Sequence, residues 1–249
     1  MLSYILGKVC RYRSGVCIQN LSRSFPGYSY NEINACAEAF YRNLSRIVWE
    51  TCFPSLTKLV VHLSALQIIK ELGRRQRPVI LLLGHYGNWE VLNKLPQCTG
   101  MPVKALYKPI RIQWIDTLVR KRRIRYGLEL VKSGQALKVL LNNKDHNSLL
   151  LFVADQFPGN NKGIEVDFLH QETRMFAGAE QLARRLDAAV AYLELSARPG
   201  HTWEMDVQVI CESAAGTTEG SITRTYARML EKSIQRAPAW WLWSHRRWK

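Results

Sequence analysis

The chain has 249 residues, a formal net charge of +15 at pH 7 and a hydrophobic fraction of 47%. This length allows one sizeable domain with at most a small extension, and the composition excludes a disordered chain. The charge predicts an anionic partner, which composition alone leaves open between nucleic acid, an anionic membrane face and an acidic protein.

The first part of the chain is predicted to be helical. The apolar start "MLSYILGKV" is too short to span a bilayer and could at most dip into its surface. Ser29 and Glu32 have the spacing of a capping box, which predicts a helix from there to about Pro54. A second helix is predicted from Ser55 to Leu72. Residues 1–72 are therefore interpreted as an N-terminal, membrane-proximal helical extension.

Strand and helix patterns alternate after residue 72. The predicted strands are "VILLL", "PVKALYK", "LELVK", "SLLLFVA", "GIEVDFL", "AVAYLEL" and "WEMDVQVI". The predicted helices between and after them are Ile112 to Arg125, Gln135 to Asn142, Ala177 to Leu186 and Ile222 to Ile234. This alternation predicts an α/β domain over residues 73–249, with a mostly parallel or mixed central sheet flanked by helices.

The stretch "GHYGNWE" directly follows the apolar strand "VILLL". Gly84 and Gly87 permit a tight bend, and Asn88 is a good N-cap for a helix that begins at Trp89. Glu90 then lies close enough to His85 to accept a hydrogen bond from one ring nitrogen, which would make the other nitrogen a better base. The competing interpretation is a turn histidine without a catalytic role.

The order Gly-His-Tyr-Gly-Asn-Trp-Glu resembles the H-x4-[D/E] signature of the lysophospholipid acyltransferase superfamily. More narrowly, it is similar to the bacterial lipid A biosynthesis lauroyl/myristoyl acyltransferases. Four further stretches resemble motifs of that family in the same order: "RRIRYG", "DQFPG" with "GIEVDFL", "AGAEQLARRLDAAV" and "WWLWSHRRWK". The resemblance covers nearly the whole chain.

The resemblance implies a glycerol-3-phosphate acyltransferase-like fold and acyl transfer from a thioester of acyl carrier protein or CoA to a lipid hydroxyl. His85 would be the general base and Glu90 the residue that orients it. A lipid A precursor is the implied acceptor, and no metal or other cofactor is expected. The same chemistry on an amino-acid lipid or a mannoside lipid is an open alternative.

Two further pairs of residues are candidates for substrate binding. Arg123 and Arg125 belong to a basic run that could cradle lipid phosphates or the acidic helix of acyl carrier protein, although most of the run could be a solvated helix face. Asp155 and Gln156 follow an apolar strand and could position the acceptor, although an ordinary turn explains them equally well.

The aromatic C-terminus is predicted to contact the membrane or an anion. Trp241, Trp243, Arg246 and Arg247 could form an interfacial belt, with core packing as the alternative for some positions. The expected location is the cytoplasmic face of the bacterial inner membrane, with peripheral or weak anchoring.

A non-catalytic basic binder of anionic lipid or nucleic acid is the rival function. The net charge supports it, but the arginines are not interleaved with aromatic residues and no nucleic-acid motif occurs in the sequence. No nucleic-acid partner is therefore expected.

Overall fold

A central sheet of seven strands forms the framework of the protein. The computed structural model describes residues 12–75, 77–135, 148–159 and 163–248. The strands of the sheet, in chain order, are β1 (Lys58–Val61), β2 (Val79–Leu83), β3 (Val103–Tyr107), β4 (Glu129–Lys132), β5 (Leu149–Val153), β8 (Ala189–Arg198) and β9 (Thr202–Cys211). A separate antiparallel pair is formed by β6 (Ile164–Phe168) and β7 (Gln171–Met175).

Helices cover both faces of this sheet. They are α1 (Ser14–Ser24), α2 (Tyr30–Cys52), α3 (Leu63–Arg74), α4 (Leu95–Thr99), α5 (Gln113–Ile124), α6 (Gly178–Leu186) and α7 (Ser221–Arg236). Two apolar clusters result, one on each face. Side chains that alternate along β2 belong to opposite clusters, Ile80 and Leu82 to one and Leu81 and Leu83 to the other.

The strand order is β1-β9-β8-β2-β5-β3-β4, and most neighbours are parallel. The pair β8–β9 is antiparallel, so β9 and its parallel neighbour β1 run against the other five strands. Strand β2 lies at the centre and all five of its residues are buried, as a continuous apolar run predicts for a strand covered on both faces. The predicted α/β architecture with a mixed, mostly parallel sheet is confirmed.

The predicted helix from Ser55 to Leu72 is wrong in its first half. Residues 58–61 form β1, which pairs with β9, and α3 begins only at Leu63. The β-branched run of Val60 and Val61 favours a strand over a helix there. Part of the predicted N-terminal extension thus belongs to the central sheet, and the division at residue 72 stays a prediction.

Two predicted segments fall outside the described residues: the apolar start of the chain, and the helix from Gln135 to Asn142 apart from its first residue. Within the described residues, no helix is both long and apolar enough to cross a bilayer. The capping box is confirmed, because the Ser29 side chain accepts from the Glu32 amide while the Glu32 carboxylate accepts from the Ser29 amide.

Candidate active site

The candidate site lies where β2 and β5 end side by side. These strands are parallel neighbours, and Leu83 is in register with Val153. His85 and Asp155 each come two residues later, so the register brings the two side chains to the same point beyond the sheet. Loops at the carboxyl ends of parallel strands are the usual position of ligand sites in such folds.

His85 and Asp155 form a hydrogen-bonded pair. Nδ1 of His85 lies 2.6 Å from Oδ1 of Asp155, and the His85 backbone amide donates to Oδ2 over 2.8 Å. The indole Nε1 of Trp241 donates to the same Oδ2, also over 2.8 Å. With three donors converging on it, the carboxylate is fixed in orientation and in turn fixes the imidazole ring.

Asp155 remains ionised although it is buried. Its side chain is 3% exposed, and burial by itself raises a carboxyl pKa. The charge and hydrogen bonds of His85, together with the Trp241 hydrogen bond, outweigh burial and lower the pKa of Asp155 to about 2. An ionised acceptor at Nδ1 assigns the proton to that nitrogen, so Nε2 carries the lone pair of a base and accepts the long hydrogen bond from Nε2 of Gln156.

The Glu90 carboxylate pairs with Arg123 and His85 pairs with Asp155, which corrects the expected hydrogen bond between Glu90 and His85. In the described part of the chain the ring of His85 bonds Asp155 and Gln156, whereas the Glu90 carboxylate accepts two hydrogen bonds from Arg123. The Nε–Oε2 distance of this fork is 2.9 Å and the Nη2–Oε1 distance is 2.5 Å. Glu90 lies in the 3-10 turn that begins at Trp89, and its carboxylate is bound by Arg123 of α5.

A cavity of about 270 Å³ opens beside His85. The polar residues of its lining include His85, Glu90, Lys108, Arg123 and Gln156. Its leucine, alanine and valine residues are Leu83, Leu92, Ala105, Leu106, Leu128, Leu130, Leu151 and Val153. A cavity lined by both polar and apolar residues suits a ligand that carries a polar head and a hydrocarbon chain.

The predicted substrate-binding residues divide between the cavity and its surroundings. Gln156 lines the cavity, with its Nε2 3.4 Å from Nε2 of His85. Arg123 lines it too, and its pairing with Glu90 raises its pKa despite burial, so it remains a cation there. Arg125 instead lies exposed at the end of α5, over the ring of Tyr126, outside the cavity lining.

The glycines of the bend are required by close packing. Gly87 has a φ of +69°, and a Cβ there would lie 2.7 Å from Cζ3 of Trp203. A Cβ on Gly84 would lie 2.8 Å from Leu230 and 3.3 Å from Oδ2 of Asp155. A larger residue at either position would force these neighbouring side chains or the bend itself to shift.

The buried carboxylate of Glu50 supports the bend through hydrogen bonds. Oε2 of Glu50 accepts from Asn88 Nδ2 over 2.8 Å and from Trp203 Nε1 over 2.7 Å, and Oε1 accepts from Arg46 and His201. Oδ1 of Asn88 caps the following turn by accepting from the Glu90 amide. Burial raises the pKa of Glu50, but these hydrogen bonds outweigh it and lower the pKa.

Sequence reasoning missed Glu50, although a signal was present. The buried stripe of α2 includes Ala37, Phe40 and Ile47, and Glu50 continues it three residues later. A charged residue on the apolar face of a helix must find partners in the core. The pattern therefore indicated a buried polar network, but not that the network would reach Asn88.

Three of the four C-terminal residues pack into the core, which corrects their predicted contact with a membrane or anion, while the prediction for Arg246 stays open. Trp241 is 2% exposed, Trp243 0% and Arg247 1%, whereas Arg246 is exposed. The segment runs along the bend that contains His85: the Gly87 amide donates to the Trp240 carbonyl, and the Leu242 amide donates to the His85 carbonyl. The aromatic tail therefore holds His85 in place.

Comparison with known proteins gives a consistent result. A family model described as "Bacterial lipid A biosynthesis acyltransferase" matches residues 4–249. The chain is 21% identical over 243 residues to a "Lipid A biosynthesis palmitoleoyltransferase" of Escherichia coli (strain K12), covering 95% of this chain and 79% of that protein. It has the same identity and coverage with a "Lipid A biosynthesis acyltransferase" of Shigella flexneri.

Proposed function

Because the chain belongs to the bacterial lipid A biosynthesis acyltransferase family, we propose that this acyltransferase moves a fatty acyl chain from a thioester to a hydroxyl of a glycolipid such as a lipid A precursor, with His85 as general base. The observation that carries the proposal is the short hydrogen bond from Nδ1 of His85 to the buried, ionised Asp155, with His85 in the lining of a cavity that has both polar and apolar residues.

The proposed reaction is direct transfer. Nε2 of His85 removes the proton of the acceptor hydroxyl as its oxygen attacks the thioester carbonyl, and Asp155 stabilises the imidazolium that forms. The tetrahedral intermediate collapses with loss of the C–S bond. The imidazolium then returns its proton to the leaving thiolate, so the products are an ester and a free thiol. No covalent acyl-enzyme is required.

We propose that Arg123 binds an anionic part of a substrate. It lies in the wall of the cavity that contains His85, and its pairing with Glu90 fixes the guanidinium plane. Glu90 thus acts as a positioning residue for Arg123 in this proposal. Phosphate groups, which occur on both a carrier-protein donor and a glycolipid acceptor, are suitable partners for arginine.

A second cavity offers room for hydrocarbon. It has a volume of about 420 Å³ and lies on the opposite face of the sheet, where its lining includes Phe152, Phe176 and Leu182. The two cavities share Leu106, Tyr107, Lys108 and Val153, so they meet at the ends of β3 and β5. Acyl transfer between two lipidic substrates needs space for more than one chain, which supports the proposal.

The donor, partners and location belong to the same proposal. We infer an acyl carrier protein or CoA thioester as co-substrate and no cofactor beyond it. The lipid acceptor implies peripheral association with an anionic membrane, at the cytoplasmic face of the inner membrane. The net charge of +15 supports attraction to either an acidic carrier protein or anionic lipid.

A transfer assay tests the proposal. Full-length protein is incubated with a radiolabelled acyl carrier protein thioester and a panel of a lipid A precursor, an amino-acid lipid and a mannoside lipid, and the products are identified by mass spectrometry. We expect an ester of the lipid A precursor and a loss of about 10²–10⁴-fold in rate for His85→Ala. His170→Ala, at an exposed position outside the cavity lining, is the matched control. Wild-type activity in His85→Ala, or no transfer to any acceptor by wild-type protein, would contradict the proposal.

A further inference from the structure

Helix α5 lies on the surface with no buried residue in the described part of the chain. It has twelve residues, a length at which a helix is marginal in water without a surface to pack on. Ile115 and Val119 are half-buried, so even the more covered side of the helix is only partly packed against the rest of the protein. The helix therefore leaves much of its apolar surface exposed.

The outer edge is apolar at positions one helical turn apart. Trp114 is 71% exposed and Leu118, four residues later, is 41% exposed, so the two side chains are neighbours on the helix surface. The segment that leads into the helix adds Ile110 and Ile112, which are 39% and 50% exposed. Large apolar side chains exposed together in this way mark an interaction surface.

The same surface is strongly basic. Between residues 104 and 125 the sequence has eight cations and a single acid, Asp116. Asp116 accepts a hydrogen bond from the Ile110 amide over 2.8 Å and so ties the leading segment to the helix. The exposed cations of this region are Lys108, Arg111, Arg120, Lys121 and Arg125. Positive charge around an apolar patch complements an anionic bilayer, because each nearby cation is attracted to the lipid phosphates.

This surface adjoins the candidate active site. Arg123 of α5 and Lys108, just after β3, line the cavity that contains His85. The Arg122 carbonyl accepts from the Asn93 side chain, which joins α5 to the turn after the catalytic bend. A lipid that left a bilayer beneath α5 would thus enter the cavity directly.

We propose that α5 and the segment Ile110–Ile112 form a membrane-docking surface for anionic lipid. Trp114, Leu118 and Ile112 enter the interface between headgroups and acyl chains, and the flanking cations bind lipid phosphates. The proposal rests on the proposed function, since it names the surface through which a lipid acceptor is reached. An acidic protein would account for the cations, but an indole that is mostly exposed favours a bilayer.

Vesicle sedimentation tests the docking surface. Full-length protein is mixed with vesicles of phosphatidylcholine alone or of equal parts phosphatidylcholine and phosphatidylglycerol. We expect preference for the anionic vesicles, about tenfold or more weaker binding for Trp114→Ser with Leu118→Ser, and about fivefold weaker binding for each cation removed in Arg120→Gln and Lys121→Gln.

Matched controls lie on α3. Leu63→Ser removes a leucine that is 79% exposed, and Lys70→Gln with Arg74→Gln removes two exposed cations of a different helix. Wild-type binding by the α5 variants, or an equal loss in the α3 variants, would overturn the assignment. A loss of carrier-protein binding with unchanged vesicle binding would also overturn it, in favour of an acidic protein partner.

The chemistry is measured separately on detergent-dispersed acceptor. There the α5 variants are expected to keep the wild-type transfer rate, because none of the four residues lines the cavity. If the α5 variants bind vesicles more weakly but wild-type protein transfers no acyl chain, the proposed function is disproved and the docking surface is supported. If wild-type protein transfers an acyl chain but the α5 variants bind vesicles as wild type does, only the docking surface is disproved.

Discussion

Nδ1 of His85 lies 2.6 Å from the buried Oδ1 of Asp155, and the two residues are separated by 70 positions in the sequence. The parallel register of β2 and β5 creates this contact. In the proposed mechanism this pair supplies a base and its orienting acid just beyond the ends of two neighbouring strands, and Glu90 pairs with Arg123 instead.

We expect the buried carboxylate of Asp155 to make a pH-dependent contribution to the free energy of unfolding. Its pKa falls from the ordinary 3.8 to about 2 on folding. The ionised group therefore stabilises the fold above pH 4, and this contribution is lost as the pH falls through the folded value. We expect the difference in unfolding free energy between wild type and Asp155→Asn, measured by urea denaturation, to narrow from about pH 4 to pH 2. The exposed Asp167→Asn serves as control, and a difference for Asp155→Asn that stays constant over this window contradicts the prediction.

Glu90 and Arg123 are predicted to act as one unit. A double-mutant cycle with Glu90→Gln and Arg123→Gln should give a coupling of about 0.5–3 kcal/mol in kcat/KM, because each change removes the same fork of two hydrogen bonds. Arg125→Gln is the matched control, since Arg125 lies outside the cavity. Strictly additive effects of Glu90→Gln and Arg123→Gln would show that Glu90 acts elsewhere, for instance on His85.

Glu50 is predicted to stabilise the fold and to position the bend. Glu50→Gln weakens charged hydrogen bonds to Arg46, Asn88 and Trp203, so we expect a loss of about 1.5–3 kcal/mol in unfolding free energy. The positioning role predicts a fall in kcat at a temperature where the variant is still folded, with KM for the thioester little changed. Glu71→Gln, at an exposed position of α3, should change neither quantity. An unchanged kcat in folded Glu50→Gln would mean that Glu50 stabilises the fold but does not position the bend for the reaction.

The larger cavity is predicted to limit chain length. Leu182 lines it, and Leu182→Phe fills part of its volume of about 420 Å³. With a mixture of thioester donors, mass spectrometry should detect products with shorter acyl chains than those of wild type. Leu186→Phe changes the same helix outside the lining and should keep the wild-type product distribution. An identical distribution for Leu182→Phe would mean that no acyl chain occupies this cavity.

Local sequence patterns predicted the framework well. Continuous apolar runs indicated β2 and β5, and helical periodicity with a capping box indicated α2. These features depend on neighbours in the chain. Strand β1 was missed because four residues, Lys58–Val61, carry too little periodicity to separate a strand from a helix.

The pairing within the candidate site could not be predicted from local patterns. His85 and Asp155 were both placed at strand ends, but only the sheet order shows that these strands are neighbours. The spacing of His85 and Glu90 favoured a contact that the turn after Asn88 does not make. Trp241 and Trp243 suited an interface by composition, yet both are buried, and Trp241 pairs with Tyr86 of the bend because the tail returns across it.

The central claim is that Asp155 acts on the reaction through His85, and a second double-mutant cycle tests it most directly. Transfer rates are measured for His85→Ala, Asp155→Asn and the combined variant, each shown to be folded by circular dichroism. We expect Asp155→Asn to lower kcat sharply in the wild-type background and to have no further effect on His85→Ala, since residues that act as a unit are strongly non-additive. A wild-type kcat for Asp155→Asn, or an equal loss in both backgrounds, would contradict the account.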